Sequence, residues 1–369
     1  MSPSEFLLEA RDLQVQRGGV PVLELSALGI RPGEVLALIG PNGAGKSSLL
    51  LTLASLLEPS SGAIVFAGEA LTTARQRQAY RRQVTMVFQE PLLFDTTVRG
   101  NIAAGLRLRG SPGAEQTSMV EASAAQFGID HLLDRAARRL SGGEAQRTAL
   151  ARAFALKPRI LFLDEPFSAL DPPTRGSLLE DLGRILADSG TTAVLATHDQ
   201  AEAARLASRL AVMKEGRIVQ EGGLHQVMNH PEDPFVAAFV GMETLLHGKV
   251  KEANDGVLTL HLAGHDIVVV GEATPGQSVL VGIRPENVTL SLQIDKASSA
   301  RNQVAGTVTK VIPWGPFLRV ELDCGFDLST WVTPQSLTEL ALAPGRPVVA
   351  AFKATAVHLI RKDGPDSEL

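Results

Sequence analysis

The chain contains 369 residues, of which 44% are apolar and 20% are charged, and its formal net charge is −5. This length and apolar content suffice for two or three domains, each with its own core. The acidic balance gives no electrostatic basis for a nucleic-acid partner. No apolar run approaches the roughly 18 residues of a membrane-spanning helix, and residues 1–5 do not resemble a signal peptide. The single cysteine, Cys324, excludes an intrachain disulfide.

A glycine-rich loop lies between an apolar run at residues 35–39 and a second one at residues 48–53. This position predicts a buried strand that turns into a helix, which is the context a phosphate-binding loop requires. The glycines let backbone N–H groups turn inward, and the helix N-terminus favours anions. Lys46 should reach the β- and γ-phosphates, and Ser47 should ligate Mg²⁺. The predicted triphosphate site comprises Gly40, Pro41, Asn42, Gly43, Ala44, Gly45, Lys46, Ser47 and Ser48.

Polar side chains also follow two other apolar runs. Residues 160–163 precede Asp164 and Glu165, and residues 191–197 precede His198. Ligands of open α/β sheets bind at the carboxyl ends of the strands, so we expect these side chains beside the phosphate loop. There Asp164 suits the Mg²⁺ shell, and Glu165 suits activation of the attacking water.

A second segment of small residues opens a helix at residues 140–147, which read Leu-Ser-Gly-Gly-Glu-Ala-Gln-Arg. This segment matches the signature sequence of the ATP-binding cassette (ABC) family, and the order of motifs resembles that family throughout residues 1–240. The resemblance implies an α/β P-loop ATPase with a helical subdomain at about 90–150 and a dimer-contact loop at 168–171. It also implies that Gln89 is a lid glutamine that senses Mg²⁺ and that His198 is a switch histidine. The signature residues that it implies contact nucleotide are Ser141, Gly142, Gly143 and Gln146.

The two anion-binding helix N-termini have unequal surroundings. Only the loop at residues 40–47 is accompanied by the Lys, Ser and Asp of a metal–nucleotide site, so Ser141 and Gly143 need phosphate from elsewhere. The resemblance implies a head-to-tail dimer, in which these residues close on the γ-phosphate held by a second copy. ATP and Mg²⁺ are then the cofactors, and Glu165 is the expected general base. The expected catalytic side chains are Lys46, Gln89, Glu165 and His198.

The same resemblance implies partners and a location. An importer ATPase of this family binds integral membrane permease subunits at the cytoplasmic face of the membrane, and it acts indirectly with an extracytoplasmic substrate-binding protein. The apolar cluster at residues 91–94 follows the lid glutamine, where a permease coupling helix docks in such importers. The alternative is that this cluster belongs to the core of the subdomain. Both interpretations are compatible if core residues form the floor of a groove that accepts the partner helix.

One position departs from the family pattern. ABC ATPases usually carry an aromatic residue ahead of a Gly-Gly pair, where it stacks on adenine, and here Arg17 precedes Gly18 and Gly19. A guanidinium plane can also stack on a base. The alternative is a solvated arginine and a loosely held adenine.

After Phe239 the pattern changes to short alternating strands, which predicts a small all-β, OB-like domain over residues 241–369. Residues 275–290 align without a gap on residues 344–359. Two related β-units are therefore expected, at about 245–292 and 297–362.

The second β-unit, at about 297–362, resembles the small oxyanion-binding (TOBE/Mop-like) domain of molybdate and tungstate proteins. The resemblance rests on the Ser-Ala-Arg-Asn segment at residues 299–302 and on the Lys-Ala-Thr-Ala-Val segment at residues 353–357. A tetrahedral dianion needs fixed donors and cations, which Ser299, Arg301 and Lys353 could supply. The alternative is a purely structural β-domain.

These features together predict the energising ATPase of a membrane importer, for tungstate or molybdate, with a C-terminal domain that senses the anion. The same plan serves importers of sugars, polyamines, sulfate or ferric iron, which is the main alternative. A soluble ABC ATPase that acts on DNA or ribosomes is a more distant one, because tandem cassettes and long coiled-coil insertions are absent from the sequence.

Overall fold

A computed structural model describes residues 5–295 and 297–360, which form two compact units that divide the chain after Leu224. The predicted boundary after residue 240 lies further along the chain. The intervening helical segment belongs with the second unit, where the Arg284 guanidinium donates a hydrogen bond to the Met228 carbonyl. Each unit is described separately below.

The first unit alternates strands with helices. Its strands are β1 (Leu8–Arg17), β2 (Val20–Ile30), β3 (Val35–Ile39), β4 (Ser61–Phe66), β5 (Glu69–Ala70), β6 (Val84–Val87), β7 (Ile160–Asp164), β8 (Thr192–Thr197), β9 (Arg209–Lys214) and β10 (Arg217–Gly223). Its helices are α1 (Lys46–Leu53), α2 (Ala74–Arg81), α3 (Val98–Arg109), α4 (Gly113–Gln126), α5 (Gly142–Phe154), α6 (Pro172–Ser189) and α7 (Gln200–Leu206), with short 3-10 turns at Asp130–Leu132 and Ala137–Arg139.

The central sheet of this unit has the order β10-β9-β3-β8-β7-β6, and its strands are parallel except for β10. The three middle strands end at the same level, because Ile39 pairs with Thr197 and Asp164 pairs with Ala196. Strands buried on both faces require near-continuous apolar sequence, which these runs have. The sheet therefore brings the residues that follow β3, β7 and β8 to one edge.

Two hydrophobic clusters cover this sheet. One lies under the antiparallel sheet β2-β1-β4-β5 and includes Leu8, Phe66 and the fully buried Tyr80, whose hydroxyl donates to the Leu53 carbonyl at 2.6 Å. The other joins α3, α4 and α5 to the sheet through side chains such as Phe127. The same cluster includes Leu178 and Leu182 of α6, which follows the predicted subdomain in the chain.

The second unit begins with helical turns and continues as strands. Its helices are α8 (Leu224–Asn229, which begins one residue before the division), α9 (Pro234–Phe239) and α10 (Pro334–Glu339). Its strands are β11 (Thr244–Asn254), β12 (Val257–Leu262), β13 (His265–Val270), β14 (Ser278–Ile283), β15 (Thr289–Ser291), β16 (Asn302–Trp314), β17 (Phe317–Asp323), β18 (Asp327–Val332), β19 (Pro347–Phe352) and β20 (Val357–Ile360). Within the described residues of both units, the helices are all too short or too polar to span a membrane.

The two repeated segments of this unit exchange their last strands. The sheets have the orders β13-β12-β11-β14-β20 and β15-β19-β16-β17-β18, so β15 of the first repeat joins the second sheet and β20 of the second repeat joins the first. One continuous hydrophobic cluster fills the space between them and includes Val281, Val320 and Phe352. The repeats thus form one structure with a shared core, and neither sheet is complete without the other repeat.

Candidate nucleotide site

The loop between β3 and α1 depends on glycine at two positions. Gly45 precedes the helix with φ of 99°, a left-handed conformation that favours glycine, and an added Cβ would lie 3.1 Å from the Val22 carbonyl oxygen. An added Cβ at Gly40 would lie 2.3 Å from the Met213 carbonyl oxygen. Both glycines therefore let the loop pack tightly against neighbouring backbone while it turns toward the helix N-terminus.

Lys46, the first residue of α1, is 5% exposed. Its Nζ donates to the carbonyl oxygens of Gly40 and Pro41, at 2.7 and 3.0 Å. Burial lowers the pKa of Lys46, while the carboxylates of Glu165 and Asp164 oppose that change. The loop's own carbonyls thus hold the ammonium group at the mouth of the phosphate loop.

Ser47 and Asp164 form a pair of hard oxygen ligands. The Ser47 hydroxyl donates to Asp164 Oδ1 at 2.9 Å, which joins the start of α1 to the end of β7. Burial raises the pKa of Asp164, against the opposing hydrogen bond from Ser47. A buried carboxylate with a raised pKa gains from a nearby cation, so this pair fits Mg²⁺. Across the described residues, no three His, Cys, Asp or Glu side chains group to hold a metal by themselves, which leaves phosphates and water to complete such a shell.

The Glu165 side chain has two basic neighbours. Its Oε2 lies 3.2 Å from His198 Nδ1, and its Oε1 lies 4.0 Å from Lys46 Nζ. Its backbone has φ of 45°, a strained value for a residue other than glycine. The structure holds it there because its N–H donates to the Ala196 carbonyl and its carbonyl accepts from the Ser168 hydroxyl. These contacts fix the carboxylate between the phosphate loop and the end of β8.

A cavity of 570 Å³ opens beside Lys46, Ser47 and Glu165, whereas Asp164 and His198 are not in its lining. Gln89, which follows β6, lines it together with Lys46, Ser47 and Glu165, so the structure brings these predicted residues together. Arg17, at the end of β1, also lines it. The full lining is Arg17, Pro21, Val22, Asn42, Gly43, Ala44, Gly45, Lys46, Ser47, Ser48, Gln89, Glu165, Glu215 and Gly216.

The turn at Glu215 and Gly216 is a part of this cavity that the sequence analysis missed. Both residues have positive φ, 49° and 80°, and the Gly216 N–H donates to the Ala44 carbonyl of the phosphate loop. An added Cβ at Gly216 would lie 2.7 Å from the Val22 carbonyl oxygen. The sequence does contain a pattern that predicts this turn: a Glu-Gly pair between two strand-like runs is typical of a tight hairpin.

The signature residues lie at the N-terminus of α5, and none of them lines the 570 Å³ cavity. Ser141 caps the helix: its hydroxyl accepts from the Glu144 N–H, and the Glu144 carboxylate accepts from the Ser141 N–H at 2.7 Å. Gly142 is exposed, whereas Gly143 is close-packed, since an added Cβ would lie 2.6 Å from Thr174 Cγ2. Gln146 is 2% exposed, and its Nε2 has no hydrogen-bond partner within the described part of the chain.

Comparison with known proteins decides the family. The sequence model of the ABC transporter family matches residues 23–168, and that of the TOBE domain matches residues 298–359. The molybdate/tungstate import ATP-binding protein WtpC of Pyrococcus horikoshii is 37% identical over 332 residues, which are 89% of this chain and 93% of the relative. The chain belongs to the ABC transporter family. It is an ABC ATPase with a C-terminal TOBE domain, and the predicted family and fold class are confirmed.

Other relatives of this ABC ATPase carry different substrate names. The sulfate/thiosulfate import ATP-binding protein CysA of Nitrosomonas europaea is 36% identical over 348 residues, 92% of this chain and 93% of the relative. The spermidine/putrescine import protein PotA of Trichodesmium erythraeum is 39% identical over 273 residues, 71% of each chain. A solved structure of cbiO1 from Clostridium perfringens, part of the ABC transporter complex cbiONQ, superimposes with a TM-score of 0.57 at 31% identity and covers 61% of this chain and 91% of its own.

The predicted oxyanion residues of this ABC ATPase lie at one end of the sheet β15-β19-β16-β17-β18. Asn302 pairs with Phe352, so Arg301 and Lys353 are the next residues outward on adjacent antiparallel strands. Both are exposed, as is Ser299. Asn302 itself is buried and hydrogen-bonded to both backbone groups of Val268, at 2.7 and 2.8 Å, which gives it a structural role. The register thus places Arg301 and Lys353 next to each other in the chain fold, and their role in anion binding stays a prediction.

Proposed function

We propose that this ABC ATPase hydrolyses ATP as a head-to-tail dimer and so energises a membrane importer. The separation of two anion-binding elements within one chain carries the proposal. Lys46 and Glu165 line the 570 Å³ cavity, whereas Ser141 and Gly143 lie outside its lining. A second copy would bring its signature residues onto the γ-phosphate bound by the first.

Each group in the cavity has a distinct task in this proposal. The loop N–H groups and Lys46 bind the phosphates, and Lys46 exchanges its carbonyl partners for phosphate oxygens. Ser47 and Asp164 would hold Mg²⁺, which when bound neutralises charge on the β- and γ-phosphates. Glu165 accepts a proton from the attacking water, and His198 holds the water and the γ-phosphate in line. Gln89, from the adjacent loop, would complete the metal environment.

The exposed apolar side chains after Gln89 are the proposed permease contact. Leu92 and Phe94 are each 57% exposed. Arg152 of α5 stabilises this segment, because its guanidinium donates to the Leu92 carbonyl at 2.9 Å and lies 5.8 Å from the centre of the Phe94 ring. The patch is therefore attached to the signature helix. A permease helix bound to this patch at the cytoplasmic face of the membrane would therefore be coupled to movements of the signature helix.

Purification from membranes tests the importer proposal. A tagged chain should copurify with integral membrane subunits after detergent extraction, and the double variant Leu92→Asp/Phe94→Asp should lose them. Leu108→Asp is a matched control, since Leu108 is 85% exposed on α3 in the same subdomain. Recovery of the chain with ribosomes or DNA and without membrane proteins would favour the soluble alternative.

For the substrate, we propose tungstate or molybdate, with a second anion site in the TOBE domain that slows uptake when anion accumulates. The support is the name of the Pyrococcus horikoshii relative and the adjacency of Arg301 and Lys353. Paired cations with fixed donors suit a tetrahedral dianion. The sulfate and polyamine relatives keep other importers as the alternative.

Titration calorimetry of the full chain with tungstate, molybdate, sulfate and phosphate at one ionic strength tests this site. Selective binding of tungstate or molybdate that is lost in Arg301→Ala and Lys353→Ala supports it. Lys310→Ala is the control, because Lys310 is an exposed cation on β16 of the same sheet. Equal, weak binding of all four anions would reduce the domain to a structural role and leave the ATPase proposal intact.

A further inference from the structure

The first turn of α6 contacts three functional segments at once. Arg175 is the central residue: its Nη2 donates to the Leu170 carbonyl of the dimer-contact loop at 3.2 Å. Its Nη1 donates to Asp199 Oδ2 at 3.5 Å, and its Nε lies 4.0 Å from Glu202 Oε1. Arg175 therefore joins the loop that follows Glu165 to the segment that follows His198.

The contacts at Asp199 determine the backbone beside His198. Asp199 caps α7 by accepting from the N–H groups of Ala201 and Glu202, and its own N–H donates to the Thr197 hydroxyl at 3.0 Å. That hydroxyl donates to Glu202, which is buried. The residues on either side of His198 are thus held by one network of hydrogen bonds and charges. Arg175 supplies the cation in this network.

The same turn of α6 also meets the signature segment. Thr174 packs against Gly143 closely enough that an added Cβ would lie 2.6 Å from Thr174 Cγ2. One turn further along, Arg147 of the signature helix donates to the Ser177 hydroxyl at 2.9 Å and to Asp181 at 2.7 Å. A shift of the signature helix is therefore transmitted to α6, because close-packed and hydrogen-bonded contacts do not deform freely.

We propose that Arg175 is a positioning residue that couples the two ATP sites of the dimer. This proposal rests on the head-to-tail dimer of the preceding section. In that dimer, the signature of one chain touches the partner's ATP, while His198 of the same chain touches its own ATP. When ATP occupies the partner's site, the change at Gly143 is transmitted through Thr174 and Arg175 to Asp199. It thereby affects His198 in the chain's own ATP site.

Variants of Arg175 and Asp199 test the coupling. Arg175→Gln removes the cation, and Arg175→Lys keeps the charge but loses the planar fork that reaches several acceptors. Asp199→Asn keeps the helix cap, since Asn caps as well as Asp, and removes the ion pair. Glu180→Gln is the control, because Glu180 is an exposed charged residue on the same helix.

ATP hydrolysis by the full chain is measured over a range of ATP concentrations, together with the Kd for ATP and the melting temperature. Arg175→Gln should lower kcat by about 2- to 30-fold with an unchanged Kd for ATP. The Hill coefficient for ATP should fall from about two toward one, its upper bound being the number of coupled sites. Arg175→Lys should recover part of the loss, and Glu180→Gln should resemble the unmodified chain.

The double variant Arg175→Gln/Asp199→Asn separates coupling from simple destabilisation. Its effect on kcat should be smaller than the two single effects combined, because both changes remove the Arg175–Asp199 pair. Strictly additive effects, or an Arg175→Gln chain with unchanged kcat and Hill coefficient, would overturn the proposal. Failure of the Glu165→Gln chain, which should bind ATP without hydrolysing it, to form any ATP-dependent dimer would instead overturn the proposed function, and a light-scattering measurement of mass detects this separately.

Discussion

The Glu165 carboxylate lies 3.2 Å from His198 Nδ1, and the two residues follow adjacent parallel strands of the central sheet. Glu165 is 16% exposed and held in a left-handed backbone conformation, whereas His198 is 52% exposed. The Glu165 carboxylate is therefore held in place, and the His198 imidazole is half open to solvent. Such an arrangement suits a reaction in which the protein positions a water molecule and stabilises charge on a phosphate.

Replacing Glu165 by Gln should abolish turnover while nucleotide binding is retained. The amide cannot accept the proton of the attacking water, and loss of a general base lowers rates by about a hundred- to ten-thousandfold. The ATP contacts through Lys46 and the loop remain. Steady-state hydrolysis and equilibrium ATP binding of the same preparation measure the two effects, with Glu144→Gln as a control that keeps its own capping box. Near-normal turnover would remove Glu165 from this role.

As the pH is lowered, binding of Mg²⁺ should begin to weaken at a higher pH than it would through an aspartate of ordinary pKa. The ion requires the ionised Asp164 carboxylate, and burial raises the pKa of that carboxyl. Below this raised pKa, the apparent affinity should fall about tenfold per pH unit. Calorimetric titration of Mg²⁺ into the ATP-bound chain at several pH values measures this. Asp164→Asn should show weak binding and lose this pH dependence, and an unchanged pH profile in that variant would contradict the assignment.

Arg17→Ala should raise the Kd for ATP about fivefold, because a guanidinium stacked on a base contributes about 1 kcal/mol. Arg11→Ala provides the control, since Arg11 is an exposed cation on the same strand and pairs with Glu9. The comparison removes the general effect of one lost positive charge. If both variants bind ATP as the unmodified chain does, Arg17 is solvated and the base is held by other groups.

Cys324 should be unreactive in the folded protein. The thiol is 3% exposed, and burial raises its pKa to about 11. Alkylation near neutral pH should be slow in buffer and rapid in denaturant, which supplies the control. Since the unfolded thiol ionises at lower pH than the folded one, stability should fall as pH rises toward 11. Rapid alkylation of the folded chain would show that this part of the TOBE core opens.

Much of the nucleotide site could be predicted from the sequence. The apolar runs before Gly40, Asp164 and His198 predicted buried strands, and parallel strands place their carboxyl ends at one edge. Local pattern thus gave the relative positions of residues far apart in the chain. The Ser47–Asp164 contact across 117 positions is an example of a pairing that follows from this rule.

Other features depend on tertiary structure that local patterns do not contain. The repeat predicted two β-units in sequence, but β15 and β20 join each other's sheets, because strand pairing is settled by the shared core and not by order along the chain. The role of Arg175 was missed for the same reason. Its side chain contacts Leu170, which lies just before the start of α6, and Asp199 across a sequence gap of 24.

ATP-dependent dimerisation of the Glu165→Gln chain tests the central claim most directly. Light scattering should show a dimer with ATP and a monomer without it. The added change Ser141→Asp keeps the helix cap but places a negative charge against the partner's γ-phosphate. That double variant should remain monomeric and bind ATP more weakly than Glu165→Gln does, because a dimer that ATP stabilises must in turn bind ATP more tightly. An ATP-dependent dimer that persists in Glu165→Gln/Ser141→Asp would contradict a site shared between two chains.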